Sequence, residues 1–513
     1  MTRYVGVAAL VAIGITGSGV VRAGERFDFR NPPQGRFADD WLTIYMLGGK
    51  VGYGHTTMTR DGDTIATRTE MTMKLGRVDN PVTIEVSQST TETVDGTPLT
   101  FASEMNASVM KTSTRGVIKD GQVTITTSQL GMDQKTTFPF AKSSLMSWGL
   151  YRESMIHGLK PGTEYTLKVF APDIRVDGPV DAHTVIGKRE SYKSLAGTGE
   201  GQRVALTMAS PVGEVEMVSW VDEQGLPLLA RMGMPGLGDM ELVTTDEKSA
   251  LSDYMPPEIF MTTTIPAKRS IDYKHAQRIT YRLRPKSGVG TPAAVADLPD
   301  TGPQHVVKRD DDAVDVIVSR QARDTSKKLT MPDRGAMAEY LGSNLMINTD
   351  DPELQKIAKR GAKGTTAKNP YRLADNLRRF VTDYISEKNL DIGFATASEV
   401  CRTREGDCSE HGVLLAALGR INGLPSRVVA GIAYVPLFGK QDDIFGYHMW
   451  TQFWINGRWV DYDAALRESD CSPIRIAFGV SSLKSAGLAD LSMPLLNRIG
   501  AIDLTVVKIE PNK

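Results

Sequence analysis

The segment Tyr447-His448-Met449-Trp450-Thr451-Gln452-Phe453-Trp454-Ile455 alternates as a strand, Asn456-Gly457 follows, and Arg458-Trp459-Val460-Asp461-Tyr462-Asp463 returns. Asn-Gly is the strongest short signal for a two-residue turn, so the stretch is a β-hairpin whose register the turn dictates. Counting back from the turn pairs Ile455 with Arg458, Trp454 with Trp459, Gln452 with Asp461 and Trp450 with Asp463. His448 and both aspartates then share one face, because strand side chains alternate. Asp463 becomes the diagonal neighbour of His448, roughly 7 to 8 Å away between backbones, with Asp461 one pair further off. In isolation a strand histidine and a strand-end carboxylate are unremarkable. Together they make an oriented imidazole, half of a general-base device.

A nucleophile for that base precedes the hairpin. Gly406-Asp407-Cys408-Ser409-Glu410-His411 runs into Val413-Leu414-Leu415-Ala416-Ala417-Leu418. Gly406 permits a turn, Asp407 or Ser409 can cap free amides, and the apolar residues 413, 414, 417, 418 and 421 recur at helical spacing until Gly423 and Leu424-Pro425 stop the helix. A thiol on the first turn feels the positive end of the helix dipole, which favours thiolate, and the amides there can receive an oxyanion. A lone cysteine behaves as a small buried hydrophobe. It is the combination of Cys408, His448 and Asp463 that points to acyl transfer, with His448 taking the thiol proton and returning it to a leaving group.

These motifs, with Gly423-Leu424-Pro425-Ser426-Arg427-Val428-Val429-Ala430-Gly431 and Trp459-Val460-Asp461-Tyr462-Asp463, resemble the transglutaminase-like core of bacterial exported proteins. The resemblance spans about residues 340 to 470. It implies a papain-related cysteine fold and assigns nucleophile, base and orienter to Cys408, His448 and Asp463. One feature departs from the cross-linking members, which use an upstream tryptophan to stabilise the oxyanion: no tryptophan lies between Trp220 and Trp450. Hydrolysis of amide or peptide bonds is therefore expected over protein cross-linking. The second oxyanion donor is unassigned, with Asn389, in the loop 389–397, as a guess from position. With Cys408 as nucleophile, Cys401 and Cys471 are the only cysteines left to pair, as a disulfide or as two separate buried thiols.

At 513 residues the chain exceeds a single core, and its net charge of -1 offers no general basic surface, so nucleic acid is not an expected partner. Arg3, the glycine-broken apolar run Val5 to Val20, and Val21-Arg22-Ala23 read as an export signal over 1–23. No lipobox cysteine follows, and no later run of about 20 apolar residues could span a bilayer. A periplasmic or secreted protein acting on a peptide or protein substrate, without an integral membrane segment after signal removal, is expected; oligomeric state is open.

The expected fold class is α+β: an antiparallel β domain over 24–251, a β segment and linker over 252–335, and a papain-like or transglutaminase-like catalytic domain over 336–513. The first part consists of alternating segments such as Leu42 to Met46, Thr64 to Leu75, Val82 to Thr93, Tyr165 to Phe170 and Glu214 to Trp220, broken by one helix near Ser143 to His157. Its many methionines suit either core packing or an adaptable binding face for a peptide, glycan or lipid chain, with packing favoured. The proline- and glycine-rich run 284–303 reads as a connector. Asp351-Pro352 and Asn369-Pro370 open two packing helices. Ile502 to Ile509 reads as a closing strand. No cofactor is expected. A zinc site from Cys401, Cys408, His411 and His448 is disfavoured, because C-x2-H lacks a second matched pair. The remaining alternative is a non-catalytic binder in which the triad is a packed relic.

Overall fold

The computed structural model describes residues 27–512 except 78–79, 108–109, 130–131, 173–177, 211–212, 235–236, 259–262, 289, 291, 310–311, 323–332, 334, 388–394, 485–490, 492–493 and 496–497. Two compact units divide the chain, Thr2–Ile259 and Phe260–Lys513.

The first unit is one sheet of fifteen strands among the described residues. Eight run as consecutive hairpins: β1 (Gly35–Met46), β2 (Gly49–Asp61), β3 (Thr64–Arg77), β4 (Asn80–Thr93), β5 (Pro98–Ala107), β6 (Met110–Lys119), β7 (Gln122–Gln129) and β8 (Met132–Pro139). The chain then forms β9 (Ser144–Leu145), α1 (Ser147–His157), β10 (Glu164–Val169), β11 (Val180–Ser194), β12 (Gly197–Ser210), β13 (Gly213–Val221), β14 (Pro227–Met234) and β15 (Gly238–Thr245). β15 returns antiparallel to β1, so the sheet runs from edge β8 through β1 and β15 to edge β9. Short polar turns drive this meander, Asp120-Gly121 among them, where both residues take positive φ. Met58, Met71, Met208 and Met240 lie in the core, so methionine serves packing here. Glu92 of β4 anchors α1 by accepting the amides of Trp148 at 2.7 Å and Gly149 at 2.8 Å.

The second unit contains two sheets. One has the order β18 (Gln304–Lys308), β19 (Val314–Ser319), β17 (Ala276–Pro285), β24 (Ile502–Pro511). The region expected as a β segment and linker, 252–335, thus supplies three of its strands. Buried Ile279, Tyr281, Leu283, Val316 and Val318 explain why: their apolar faces pack with Leu504 into one core, and only the loop between β17 and β18 connects. The expected closing strand is β24, at the edge of this sheet beside β17. The other sheet has the order β16 (Ile265–Pro266), β21 (Gln441–Ile455), β20 (Ser426–Phe438), β23 (Arg475–Ser481), and β22 (Arg458–Tyr462) pairs with β21. Helices α2 (Pro352–Ala362), α3 (Pro370–Tyr384), α4 (Ala397–Thr403) and α5 (Cys408–Ile421) complete the unit. The chain is mostly β, more so than the expected α+β class, because the hairpins of the first unit are long.

Candidate active site

The three expected site residues lie at the tip of α5, in the middle of β21 and at the turn after β22; His448 and Asp463 are in direct contact. Asp407 caps α5, accepting the amide of Ser409 at 2.8 Å, while Glu410 reaches back to the amide of Asp407 at 2.9 Å in a capping box. Gly406 sits at φ 146°, and a Cβ there would stand 2.3 Å from Cβ of Glu410, so the turn before the thiol admits only glycine. Cys408 is the first residue of the helix. From Ser409 to Arg420 every residue is buried, which makes α5 the central rod of the unit rather than an amphipathic surface helix. Burial, reinforced by the Asp407 carboxylate, pushes Glu410 up to about 8.

Two anchors seat α5 on the sheet. Thr451 of β21 donates its hydroxyl to the Gly412 carbonyl at 2.8 Å. At the other end buried Arg420 donates to the carbonyls of Gly342 at 2.8 Å and Ser482 at 2.6 Å. Glycine permits the close approach: a Cβ at Gly412 would lie 3.4 Å from Cγ of Met449, and one at Gly419 would lie 2.2 Å from Cε1 of Phe453. Helix and strand therefore advance in the same direction, with Gly412 over Met449 and Gly419 over Phe453.

The hairpin pairs Ile455 with Arg458, Trp454 with Trp459, and Gln452 with Asp461, as its turn dictates. It departs from expectation at its open end. The ladder stops at Thr451 opposite Tyr462, and Asp463 turns aside to exchange backbone hydrogen bonds with Glu468 at 2.8 Å in each direction. That turn brings the Asp463 carboxylate to His448, with Oδ2 2.7 Å from Nε2. The other oxygen, Oδ1, accepts the amide of Leu466 at 2.8 Å. Asp461 serves different partners, Nε1 of Trp450 at 3.0 Å and Nε2 of Gln452 at 2.7 Å. The indole of Trp450 stacks beside the imidazole, with ring centroids 6.1 Å apart. Burial works to raise the Asp463 carboxyl, but the charges of His448 and Arg475 outweigh it and hold Asp463 well below the usual carboxylate range.

Arg475 is the site residue that sequence reasoning passed over. It is buried, and its Nε donates to the same Oδ2 at 2.8 Å while Nη1 donates to Glu468 at 2.9 Å. An arginine within the apolar run Ile474 to Val480 was the available signal, since a charge in such a strand requires a buried partner.

None of the three cysteines is in a disulfide, so the Cys401–Cys471 pairing is not formed. Each thiol has its own surroundings: Cys401 lies 3.8 Å from the Tyr384 hydroxyl, and Cys471 contacts the Glu468 carbonyl at 3.7 Å. The Nδ1–H of His411 donates to the Asp407 carbonyl at 2.6 Å, so that nitrogen is committed within the helix. Among the described residues no group of three or more His, Cys, Asp or Glu is arranged to hold a metal ion. Asn389 lies outside the described residues, as does the expected signal segment, and no described helix is long and apolar enough to cross a membrane.

Residues 358–464, which contain Cys408, His448 and Asp463, match the model of the transglutaminase-like superfamily. The C-terminal unit carries a transglutaminase-like core. No curated protein matches the chain. Among solved structures, a candidate cysteine protease from Cytophaga hutchinsonii is 15% identical, with a TM-score of 0.29, over 46% of this chain and 87% of its own. A β-barrel-like protein of the DUF1849 family from Brucella abortus is 13% identical, with a TM-score of 0.31, over 40% of this chain and 96% of its own. At such scores neither likeness carries an argument.

Proposed function

We propose that the chain is an exported cysteine-nucleophile enzyme whose transglutaminase-like core uses Cys408, His448 and Asp463 on amide bonds, in the manner of the papain-related enzymes. The observation that carries this reading is the bond between Nε2 of His448 and Asp463. It leaves Nδ1 as the ring nitrogen available to take a proton from a thiol.

The course of α5 supports Cys408 as that thiol. Cys408, Gly412 and Gly419 fall on one face of the helix, and the last two lie on β21. One turn back from Gly412 brings the helix tip to the level of Tyr447 and His448. Met449, Thr451 and Phe453 point toward α5, so His448 alternates to the other face, and the reading requires the two groups to meet around a strand edge. That edge is open. β16 pairs β21 at Ile444 and Phe445, β22 pairs it from Thr451 onward, and among the described residues nothing pairs with 446–450 on that side.

In the proposed cycle His448 takes the Cys408 proton as sulfur attacks the amide carbonyl. The helix-tip amides receive the oxyanion, and the imidazolium protonates the leaving amine as the thioester forms. Water, activated by His448, then hydrolyses the thioester. Hydrolysis is preferred over cross-linking because no tryptophan precedes the core after Trp220. Profiling of amide and peptide substrates with wild type and Cys408→Ala tests the reading: turnover lost in the variant is expected, and turnover that survives it contradicts the assignment.

A further inference from the structure

One oxygen of Asp463 serves two groups, an imidazole and a guanidinium. Oδ2 lies 2.7 Å from Nε2 of His448 and 2.8 Å from Nε of Arg475. Arg475 arrives from β23, on the far side of β20 from His448: Gly431 of β20 pairs with His448 on one side and with Ala477 on the other, and Ala433 pairs with Arg475. These positions of β20 are small, and a Cβ at Gly431 would stand 1.9 Å from the Ile476 carbonyl oxygen, so β23 is drawn tightly against β20 here. Glu468 holds the guanidinium from the other end, 2.9 Å from Nη1, and the Ser472 carbonyl accepts from the same nitrogen at 3.3 Å.

We infer that Arg475 is a positioning residue of the proposed triad: it aims one Asp463 oxygen at Nε2 of His448 and, by sharing that oxygen, limits how strongly the carboxylate favours imidazolium. The inference rests on the triad reading and deepens it. A carboxylate given wholly to histidine would stabilise the protonated ring and hold its proton through the acid step. A guanidinium on the same oxygen keeps Asp463 ionised and repels a second positive charge on the ring. The other ionisable groups turned toward this cluster are Glu468 and Cys471 from the same loop, Asp461 on β22 and Tyr281 on β17. Glu468 acts through Arg475, because its negative charge offsets part of the guanidinium.

The test is an NMR titration of 13C-labelled histidines in the full chain carrying Cys408→Ser, which removes the thiol from the titration; the His448 signal is assigned by its loss in His448→Gln. Arg475→Met is expected to raise the His448 midpoint by about one pH unit, the size of shift that a neighbouring charge produces. Arg475→Lys is expected to leave it near the parent value, and Glu468→Gln to lower it. A merely structural arginine would give no such ordering. An unchanged or lowered midpoint in Arg475→Met overturns the inference. If that variant does not fold, as judged by thermal unfolding, a Glu468→Gln midpoint that is unchanged or raised overturns it instead. Failure of the triad reading shows separately, as equal iodoacetamide labelling of Cys408 in wild type and His448→Ala, and leaves the titration readable.

Discussion

The Asp463 carboxylate answers for most of what the site can do. Both its oxygens are engaged, it is fully buried, and His448 and the Arg475 guanidinium hold it ionised. Asp463→Asn keeps the shape but offers an amide that can donate toward the ring, so the histidine loses its enforced tautomer. Activity is expected to fall by about two to four powers of ten, with Cys408→Ala and His448→Ala at least as damaging. Steady-state rates on the substrate found by profiling check this, and a loss of less than tenfold in Asp463→Asn would show that the bond is not used. The helix start at Cys408 and the contact of His448 with Asp463 were legible because each belongs to a local pattern: a helix start, a strand alternation and a turn-defined register. Arg475 and Glu410 were not, because their importance comes from what the fold packs around them. A buried glutamate in a capping box and a surface one read alike in sequence.

At the scale of elements, α5 against β21 is the contact that positions the chemistry, and it depends on glycines where the helix backbone meets the strand. Gly419→Ala would place a methyl 2.2 Å from the Phe453 ring. Overpacking of this kind costs about 1–3 kcal/mol, against a gain of up to about 1 kcal/mol in helix propensity. Net destabilisation is expected in urea unfolding, and a stabilised variant would mean the helix is not seated as described. The hairpin register was readable as far as Gln452 opposite Asp461, since the Asn-Gly turn sets it. Its end was not, because the turn from Asp463 to Glu468 is held by a partner outside the hairpin, Arg475 of β23. The β segment within 252–335 and the connector at 284–303 were legible, but the sheet they belong to was not. Strands β17 and β19 are short apolar runs whose sheet is completed only by β24 from the far end of the chain, a pairing no local window contains.

For the molecule as a whole, both units bury carboxyl groups that resist ionisation. Burial pushes Asp40 to about 9, Glu92 to about 7 and Glu410 to about 8. A carboxyl raised in the folded state contributes stability that is intact below its unfolded value near 4 and is lost as pH rises through the folded value. The chain is therefore expected to be more stable at pH 5 than at pH 9. Asp40, whose two oxygens have no hydrogen-bond partner, is the largest single contributor. Asp40→Asn should stabilise the protein by roughly 2–4 kcal/mol at pH 7 and flatten the alkaline loss, since the penalty it removes is that of keeping a carboxyl neutral. Denaturant melts across pH check this, and an unchanged slope would place the titration elsewhere. The alternating strands of the first unit made its antiparallel character readable, while the joining of β1 to β15 was not, because two solvent-facing meanders carry no local mark of which edges meet.

The most direct measurement of the central claim is the rate at which iodoacetamide alkylates Cys408 between pH 6 and 7, read by peptide mass mapping in wild type and in His448→Ala. A sulfur served by the Asp463-oriented imidazole labels at least about tenfold faster in wild type than in the variant. Equal rates in the two proteins would contradict the account.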